Sequence, residues 1–219
     1  DAAGRVTGRQ TPVEAGSSTA VSYAYDADGN LTRVTDALGH VTSLGYDNRD
    51  RLIRVTDSLN NVTTYGYDAY GNLRNVIDPL GHRTTYAYDS QDRLTAVTDP
   101  LGHATSYTYD WSGLLESVTD PDGHTATLTY DDVGNILTVE DPLGHAASMG
   151  YDANGNRTSL TDALDHTTTL TYDELDRLAA FTDALGHTTS LAYDAAGNLT
   201  AVIDPLSHAT SYAYDADDR

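Results

Sequence analysis

Apolar and aromatic residues alternate with small polar residues along short segments of the chain. Leu44 and Tyr46, for example, are separated by Gly45 and preceded by Ser43. Side chains alternate between the two faces of a strand, so Leu44 and Tyr46 share one face and the smaller residues lie on the other. The segments are rich in Thr, Val, Tyr and Leu, which favour strands. None of them reaches the roughly 10–12 residues of a helix.

Turn signals separate these segments at regular intervals. One turn reads Pro-Leu-Gly-His or Ala-Leu-Gly-His, and the other reads Asp-x-x-Gly-Asn or Asp-x-x-Asp-Arg, with Gly113-Leu114 as the exception. Gly and Asn adopt the positive φ values that such turns require. Each unit is therefore predicted to contain two strands and two turns.

The unit recurs with a period of 21 residues, marked by ten Tyr-Asp pairs. A period of 20–50 residues is typical of repeat architectures, in which each unit packs on its neighbours. This regularity favours a structural surface over a single catalytic pocket. The pairs are Tyr25-Asp26, Tyr46-Asp47, Tyr67-Asp68, Tyr88-Asp89, Tyr109-Asp110, Tyr130-Asp131, Tyr151-Asp152, Tyr172-Asp173, Tyr193-Asp194 and Tyr214-Asp215.

Two further columns follow the same period. One is an Asp column without exceptions, and the other contains all eight histidines and is interrupted only by Asn61. A carboxylate repeated in every unit is expected to serve a turn or a ladder, because a catalytic pair needs unique surroundings. The residues are Asp36, Asp57, Asp78, Asp99, Asp120, Asp141, Asp162, Asp183 and Asp204, with His40, His82, His103, His124, His145, His166, His187 and His208.

Large apolar residues are predicted to form a stripe on one face of the strands. The position two before each repeat Tyr is always large, so stacked units place two such residues side by side. We expect Tyr88, Tyr109 and Tyr130 to be largely buried in this stripe. Leu31 and Val34 are three apart and cannot share a face of a regular strand. Either Leu31 belongs to the turn or a bulge intervenes.

The repeat number has a consequence for the fold. Roughly 20 strands at about 4.8 Å spacing give a sheet roughly 95 Å wide, which should coil, split or close. The predicted fold class is all-β, with tandem 21-residue β-hairpin repeats forming a continuous spiralling sheet as a shell, tube or fibre. Residues 1–24 are predicted to be a degenerate repeat and residues 25–219 the array. Both ends cut through a unit, so we expect a segment of a longer protein.

The composition limits the classes of partner and site that the chain is expected to have. The chain has 33 acidic and 12 basic residues and a net charge of −21, which repels phosphate backbones and argues against nucleic acid. With no Cys, there is no disulfide and no thiolate metal site. No apolar run has membrane-spanning length, and no signal peptide is visible.

For each residue that could bind a ligand, the sequence favours a structural role over a binding role. Neighbouring histidines of the column would lie roughly 9–10 Å apart, too far to converge on zinc. We expect these histidines to be turn residues whose rings pack on their neighbours or bond the backbone. A pH sensor is the alternative, with stability falling between about pH 7 and 5 if burial lowers the histidine pKa values.

Asp26 to Asn30 resembles part of a calcium loop, but lacks a downstream bidentate Glu. Trp111 is a candidate sugar-stacking residue. No catalytic, metal or cofactor residue is predicted.

The sequence YDADGNLTRVTDALGH at residues 25–40 and its further copies resemble the YD repeat of Rhs proteins, the Tc toxin C component, wall-associated bacterial proteins and teneurins. The resemblance implies a spiralling sheet of hairpins that forms a hollow shell, which in the toxin members encloses a C-terminal toxic domain. The Asp-Pro pairs belong to the repeat turn and are not assigned the self-cleavage of those members.

The resemblance leads to a non-enzymatic scaffold, a segment of a secreted bacterial Rhs-like protein whose shell encloses a toxin. The alternative is an extracellular fibre, tube or adhesin built directly from the repeats. Expected partners are further repeats of the same or identical chains, with an enclosed toxin domain or a cell-surface glycan as additional candidates. The expected location is outside the cell or on its surface.

Overall fold

A computed structural model describes residues 8–11 and 19–215 of the protein. Every regular element in these residues is a β-strand of three to seven residues, as expected for short segments rich in Thr, Val and Tyr. The strands are β1 Gly8–Thr11, β2 Thr19–Tyr25, β3 Leu31–Thr35, β4 Val41–Tyr46, β5 Leu52–Thr56, β6 Val62–Tyr67, β7 Leu73–Ile77, β8 Arg83–Tyr88, β9 Leu94–Thr98, β10 Ala104–Tyr109, β11 Leu115–Thr119, β12 Thr125–Tyr130, β13 Ile136–Glu140, β14 Ala146–Tyr151, β15 Arg157–Thr161, β16 Thr167–Tyr172, β17 Leu178–Thr182, β18 Thr188–Tyr193, β19 Leu199–Ile203 and β20 Ala209–Ser211.

The chain divides into two units, Asp1–Ser106 and Tyr107–Arg219, and the boundary falls inside β10. In the first unit each strand from β1 to β9 pairs antiparallel with the next. In the second unit the strands from β11 to β20 do the same. Each unit is thus a meander of hairpins, which confirms the all-β class and the tandem 21-residue hairpin.

A β-bulge explains the spacing of the aliphatic columns. Tyr23 pairs with Val34 and Tyr25 pairs with Leu31, with a register shift between them. Tyr23 and Tyr25 are two apart and share a face, and residues directly opposite each other point to the same side. The bulge therefore brings Leu31 and Val34 onto the same face, although they are three residues apart. The same shift recurs in β4–β5, β6–β7 and β8–β9 of the first unit.

The two faces of each sheet differ in chemistry. In β4, Thr42 lies opposite Val34, so the face with the Tyr and Leu columns also carries Thr42, Leu44 and Tyr46. The other face carries Ser43 and Gly45, as the alternation predicted, together with longer side chains such as Arg33 and Arg54. None of the side chains that the structure describes is buried on either face. Tyr88, Tyr109 and Tyr130, which were expected to be largely buried, are covered over most of their surface but not enclosed, because no second layer covers this face within either unit.

Several predictions fall at the ends of the chain. The degenerate repeat predicted for residues 1–24 is described only in part. β1 pairs with β2, whereas residues 1–7 and 12–18 lie outside the described residues. The last turn, with Asp218 and Arg219, also lies outside them. In the described part of the chain there is no helix, and hence none suited to crossing a membrane.

Candidate functional site

The Tyr-Asp turns are built around the carboxylate of the repeat Asp. In the turn from Asp47 to Arg51, the Asp47 amide donates to the Arg51 carbonyl at 3.0 Å, and the Asp50 amide donates to the Asp47 carbonyl at 3.1 Å. Oδ1 of Asp47 accepts from the amides of Arg49 and Arg51 at 2.9 and 3.1 Å. Oδ2 lies 2.7 Å from Nη2 of Arg51. The hydrogen bonds from the Arg51 guanidinium lower the Asp47 pKa from 3.8 to about 2.

The Asp-His turns use the same geometry at the other end of each hairpin. Oδ1 of Asp36 accepts from the amides of Leu38 and His40, both at 2.8 Å, and Oδ2 lies 2.8 Å from Nδ1 of His40. The His40 side chain and the two amides lower the pKa of Asp36. The arrangement recurs at all eight histidines.

The histidines are exposed, with 57–74 % of each side chain accessible. Each one bonds the Asp carboxylate of its own turn and so finds its hydrogen-bond partner locally. Burial, on which the predicted loss of stability between pH 7 and 5 depended, does not occur.

The repeat tyrosines join neighbouring strands through their hydroxyl groups. The Tyr46 hydroxyl donates to the Leu31 carbonyl at 2.9 Å, and the Tyr67 hydroxyl donates to the Leu52 carbonyl at 2.8 Å. The ladder between β3 and β4 covers only residues 33–35 and 41–43. The hydroxyl therefore satisfies a carbonyl beyond the end of that ladder. Burial raises the pKa of Tyr46.

Adjacent Tyr-Asp turns are also linked by side chains that sequence reasoning missed. Nδ2 of Asn30 donates to Oδ1 of Asp50 at 2.7 Å. The Arg51 guanidinium lies 4.6 Å from the centre of the Tyr67 ring and donates to the Asp68 carbonyl at 3.4 Å. A Gly-Asn turn thus bonds the Asp-Arg turn that follows it, and the Asp-Arg turn bonds the next one. The near-alternation of Gly-Asn and Asp-Arg along the sequence is the pattern from which these links between turns could have been predicted.

Side-chain clusters with metal-ligand chemistry are few in the residues described. Asp120, Asp122 and His124 place one ligand atom each within 4.8 Å of one another, all exposed and inside one turn. In the turn resembling part of a calcium loop, both carboxylate oxygens of Asp26 accept hydrogen bonds from Gly29 or Asn30. These bonds give Asp26 a turn-forming role, and the predicted lack of a metal site stays a prediction.

Large apolar side chains stand exposed at the turn tips. In the Asp-His turns and in the equivalent Asp57 turn, the leucine two residues after the Asp is 74–81 % exposed wherever it occurs in the described residues. The regular position of this leucine within the turn could have predicted a row of exposed leucines. Leu38, Leu59, Leu80 and Leu101 belong to the first unit, and Leu143, Leu164, Leu185 and Leu206 to the second. Trp111, at a Tyr-Asp turn, is 97 % exposed.

The hairpins, bulges and turn rows define a class of protein, a structural scaffold built from tandem β repeats. The chain belongs to the RHS Repeat family, whose model matches nine overlapping stretches between residues 25 and 219. The stretches are 25–62, 46–79, 67–104, 88–125, 109–146, 130–167, 151–188, 172–208 and 193–219. A search among curated proteins found no significant match.

Solved structures are similar to this chain at low sequence identity. The crystal structure of TcdB2-TccC3-Cdc42 is similar with a TM-score of 0.51 and 14 % identity, over 96 % of this chain and 16 % of that one. The crystal structure of TcdB2-TccC3-TEV gives a TM-score of 0.48 and 18 % identity, over 92 % and 15 %. The chain therefore spans a small part of the length of these proteins, and the first similarity supports the hairpin-repeat fold.

Proposed function

We propose that this chain is part of the wall of a secreted bacterial Rhs-like protein whose β-shell encloses a toxin domain, and that the wall has no enzymatic activity. The observation that carries the proposal is the run of nine RHS Repeat matches from residue 25 to residue 219. The similarity to a much longer TcdB2-TccC3 chain supports placing the repeats within a larger protein.

The chemistry of the sheet suits a wall. One face carries the columns of Tyr, Leu and Val. The other carries small residues such as Ser43 and longer polar side chains such as Arg33 and Arg54, and no described side chain on either face is buried. A sheet with two accessible faces can contact solvent on one side and an enclosed polypeptide on the other. The turn carboxylates are occupied by amide, His, Asn or Arg donors at nearly every turn, which supports a structural rather than a catalytic role for them.

The test is to purify the full-length parent protein from the culture medium and from the cells of the producing bacterium. Electron microscopy should show closed hollow particles, and limited proteolysis should leave a C-terminal segment protected until the repeats are cleaved. A parent found only in the cytosol would contradict secretion. A C-terminal segment digested at the same rate as a free peptide would contradict enclosure.

An extracellular fibre, tube or adhesin is the second candidate. The observation that favours it is the uniform spacing, because no insertion interrupts the 21-residue period between Tyr25 and Tyr214. Fibre-forming repeats would extend such an array, and the expected partners would be further repeats of identical chains or a cell-surface glycan. Straight filaments in the same micrographs, without a protected segment, would favour this candidate over the shell.

A further inference from the structure

The groove around Trp111 departs from the rest of the array. It forms an open cavity of about 320 Å³ between two neighbouring Tyr-Asp turns of the second unit. Asp110, Trp111 and Leu114 line it from one turn, and Asp131 and Asp132 line it from the next. Three carboxylates and an exposed indole therefore surround the cavity, and its lining contains no basic residue.

The Asp-Arg turns show which chemical group this geometry accepts. Oδ2 of Asp173 pairs with Nη2 of Arg177 at 2.7 Å, and the same guanidinium lies 4.6 Å from the centre of the Tyr193 ring. Asp47, Arg51 and Tyr67 repeat this arrangement in the first unit. A guanidinium thus bridges the turn carboxylate and the tyrosine of the next repeat.

At Asp110 the internal donor is missing, because Leu114 occupies the position of Arg177. Oδ1 of Asp110 accepts from the amides of Ser112 and Leu114 at 2.9 Å and from the Ser112 hydroxyl at 2.7 Å. No donor to Oδ2 is found among the described residues. In the eight other Tyr-Asp turns that the structure describes, Oδ2 accepts from the side chain four residues on.

We propose that this groove binds the guanidinium of an arginine on a partner polypeptide, through the free Oδ2 of Asp110 and the face of Trp111. A planar guanidinium forms charge-assisted hydrogen bonds with a carboxylate and stacks on an aromatic ring. The three carboxylates add electrostatic attraction for a cation. The partner supplies in trans the carboxylate-bound guanidinium that Arg51 and Arg177 supply in cis. There the guanidinium lies against the tyrosine of the next repeat, and the equivalent tyrosine, Tyr130, also lines this groove beside Trp111.

Trp111 is the only tryptophan of the chain, so its fluorescence reports on this groove alone. The 219-residue chain is titrated with a short capped peptide containing one arginine, and with the same peptide carrying citrulline, which keeps the shape but lacks the charge. We expect a saturable fluorescence change with the arginine peptide and at least about tenfold weaker binding of the citrulline peptide, because the charge-assisted bond is lost.

Equal binding of the two peptides would overturn the proposal. So would a saturable response to a maltose oligosaccharide with none to the arginine peptide, which would make the groove a sugar site.

Two substitutions test the assigned contacts. Asp110→Asn should weaken arginine-peptide binding about tenfold. Leu114→Arg should abolish it while leaving the β circular dichroism spectrum intact, because it places a guanidinium in cis, as in the Asp173 turn. Asp122→Asn, in an Asp-His turn outside the groove lining, is the matched control and should bind like the wild type. Unchanged binding by either Asp110→Asn or a folded Leu114→Arg would overturn the proposal. If Leu114→Arg does not fold, the Asp110→Asn and citrulline results decide.

Discussion

At the scale of single residues, the turn aspartates carry out one task twice in each repeat. The carboxylates of Asp36 and Asp47 each accept from the amides two and four residues along the chain, and from the side chain four residues along. This satisfies amide groups that would otherwise face solvent at the tip of a five-residue turn. The recurring Asp is therefore explained by turn formation.

The lowered aspartate pKa values predict how stability depends on pH. The folded-state pKa of Asp47 is about 2, below the 3.8 of the free residue, so its ionised form stabilises the fold. That contribution is present above pH 3.8 and is lost as the pH falls towards about 2. Hydrogen bonds in the turns also lower the pKa values of Asp36 and Asp141, so the effect accumulates.

Urea denaturation from pH 7 to pH 2 should show the loss of stability concentrated below about pH 4. Asp47→Asn should lose less than the wild type over that interval, since one titrating group is removed. A free energy of unfolding that stays level down to pH 2 would contradict this account of the turns.

The residue four positions into the turn needs a positive φ. Gly102 has φ +90°, and a Cβ added there would meet nothing within 4 Å. Gly102→Ala should therefore cost about 1 kcal/mol through the backbone alone. Gly45 is the matched control, because it lies in β4 outside the left-handed region and its Cβ would contact Arg54 at an ordinary 3.7 Å. Gly45→Ala should be neutral or stabilise by about 0.5 kcal/mol. Equal losses in urea denaturation would contradict the assignment.

At the scale of the strands, the bulge and the tyrosine hydroxyl act together. The bulge places Tyr88 opposite Leu94 on one side, and the Tyr88 hydroxyl reaches the Leu73 carbonyl of the preceding repeat at 3.0 Å. One side chain thus contacts the strand on each side of its own. This explains a tyrosine at the end of the strand, where phenylalanine would supply only the ring.

Replacing that hydroxyl tests the contact. Tyr88→Phe should lower the free energy of unfolding by about 1 kcal/mol, the usual contribution of one hydrogen bond. Tyr70 is 85 % exposed, and its hydroxyl makes no hydrogen bond among the described residues, so Tyr70→Phe should have no effect. Guanidinium denaturation of both variants provides the comparison. A loss at Tyr70 as large as that at Tyr88 would show that the hydroxyl bond is not responsible.

At the scale of the whole molecule, neither unit encloses a core of its own. No described side chain is buried, so each sheet gains less hydrophobic stabilisation than a two-layer domain would. We therefore expect the 23.5 kDa chain to associate, with its Tyr, Leu and Val face covered by another copy. Light scattering at micromolar concentrations should give a mass above 23.5 kDa that increases with concentration. A monodisperse monomer across that range would contradict the prediction.

The sequence by itself determined the features that depend on local chemistry. The 21-residue period, the two strands per unit, the two turns and the sidedness of Leu44 and Tyr46 all follow from residue type and spacing. Gly at positive φ and Asp at turns act within five residues, so no distant contact was needed to predict them. The sequence predicted that the Tyr and Asp columns have a structural role. It did not predict which hydrogen bonds each residue makes.

Only the tertiary structure decided the features that depend on pairing between strands. The register resolved whether Leu31 belongs to a turn or to a bulge, because Leu31 lies opposite Tyr25. The link from Asn30 to Asp50 joins residues 20 apart, which only the stacking of neighbouring turns brings together. The extent of side-chain burial also depends on tertiary structure, and no described side chain is fully buried. Periodicity identifies the face that carries the apolar stripe, whereas a second layer over that face depends on how sheets pack, and strand alternation carries no information about that packing.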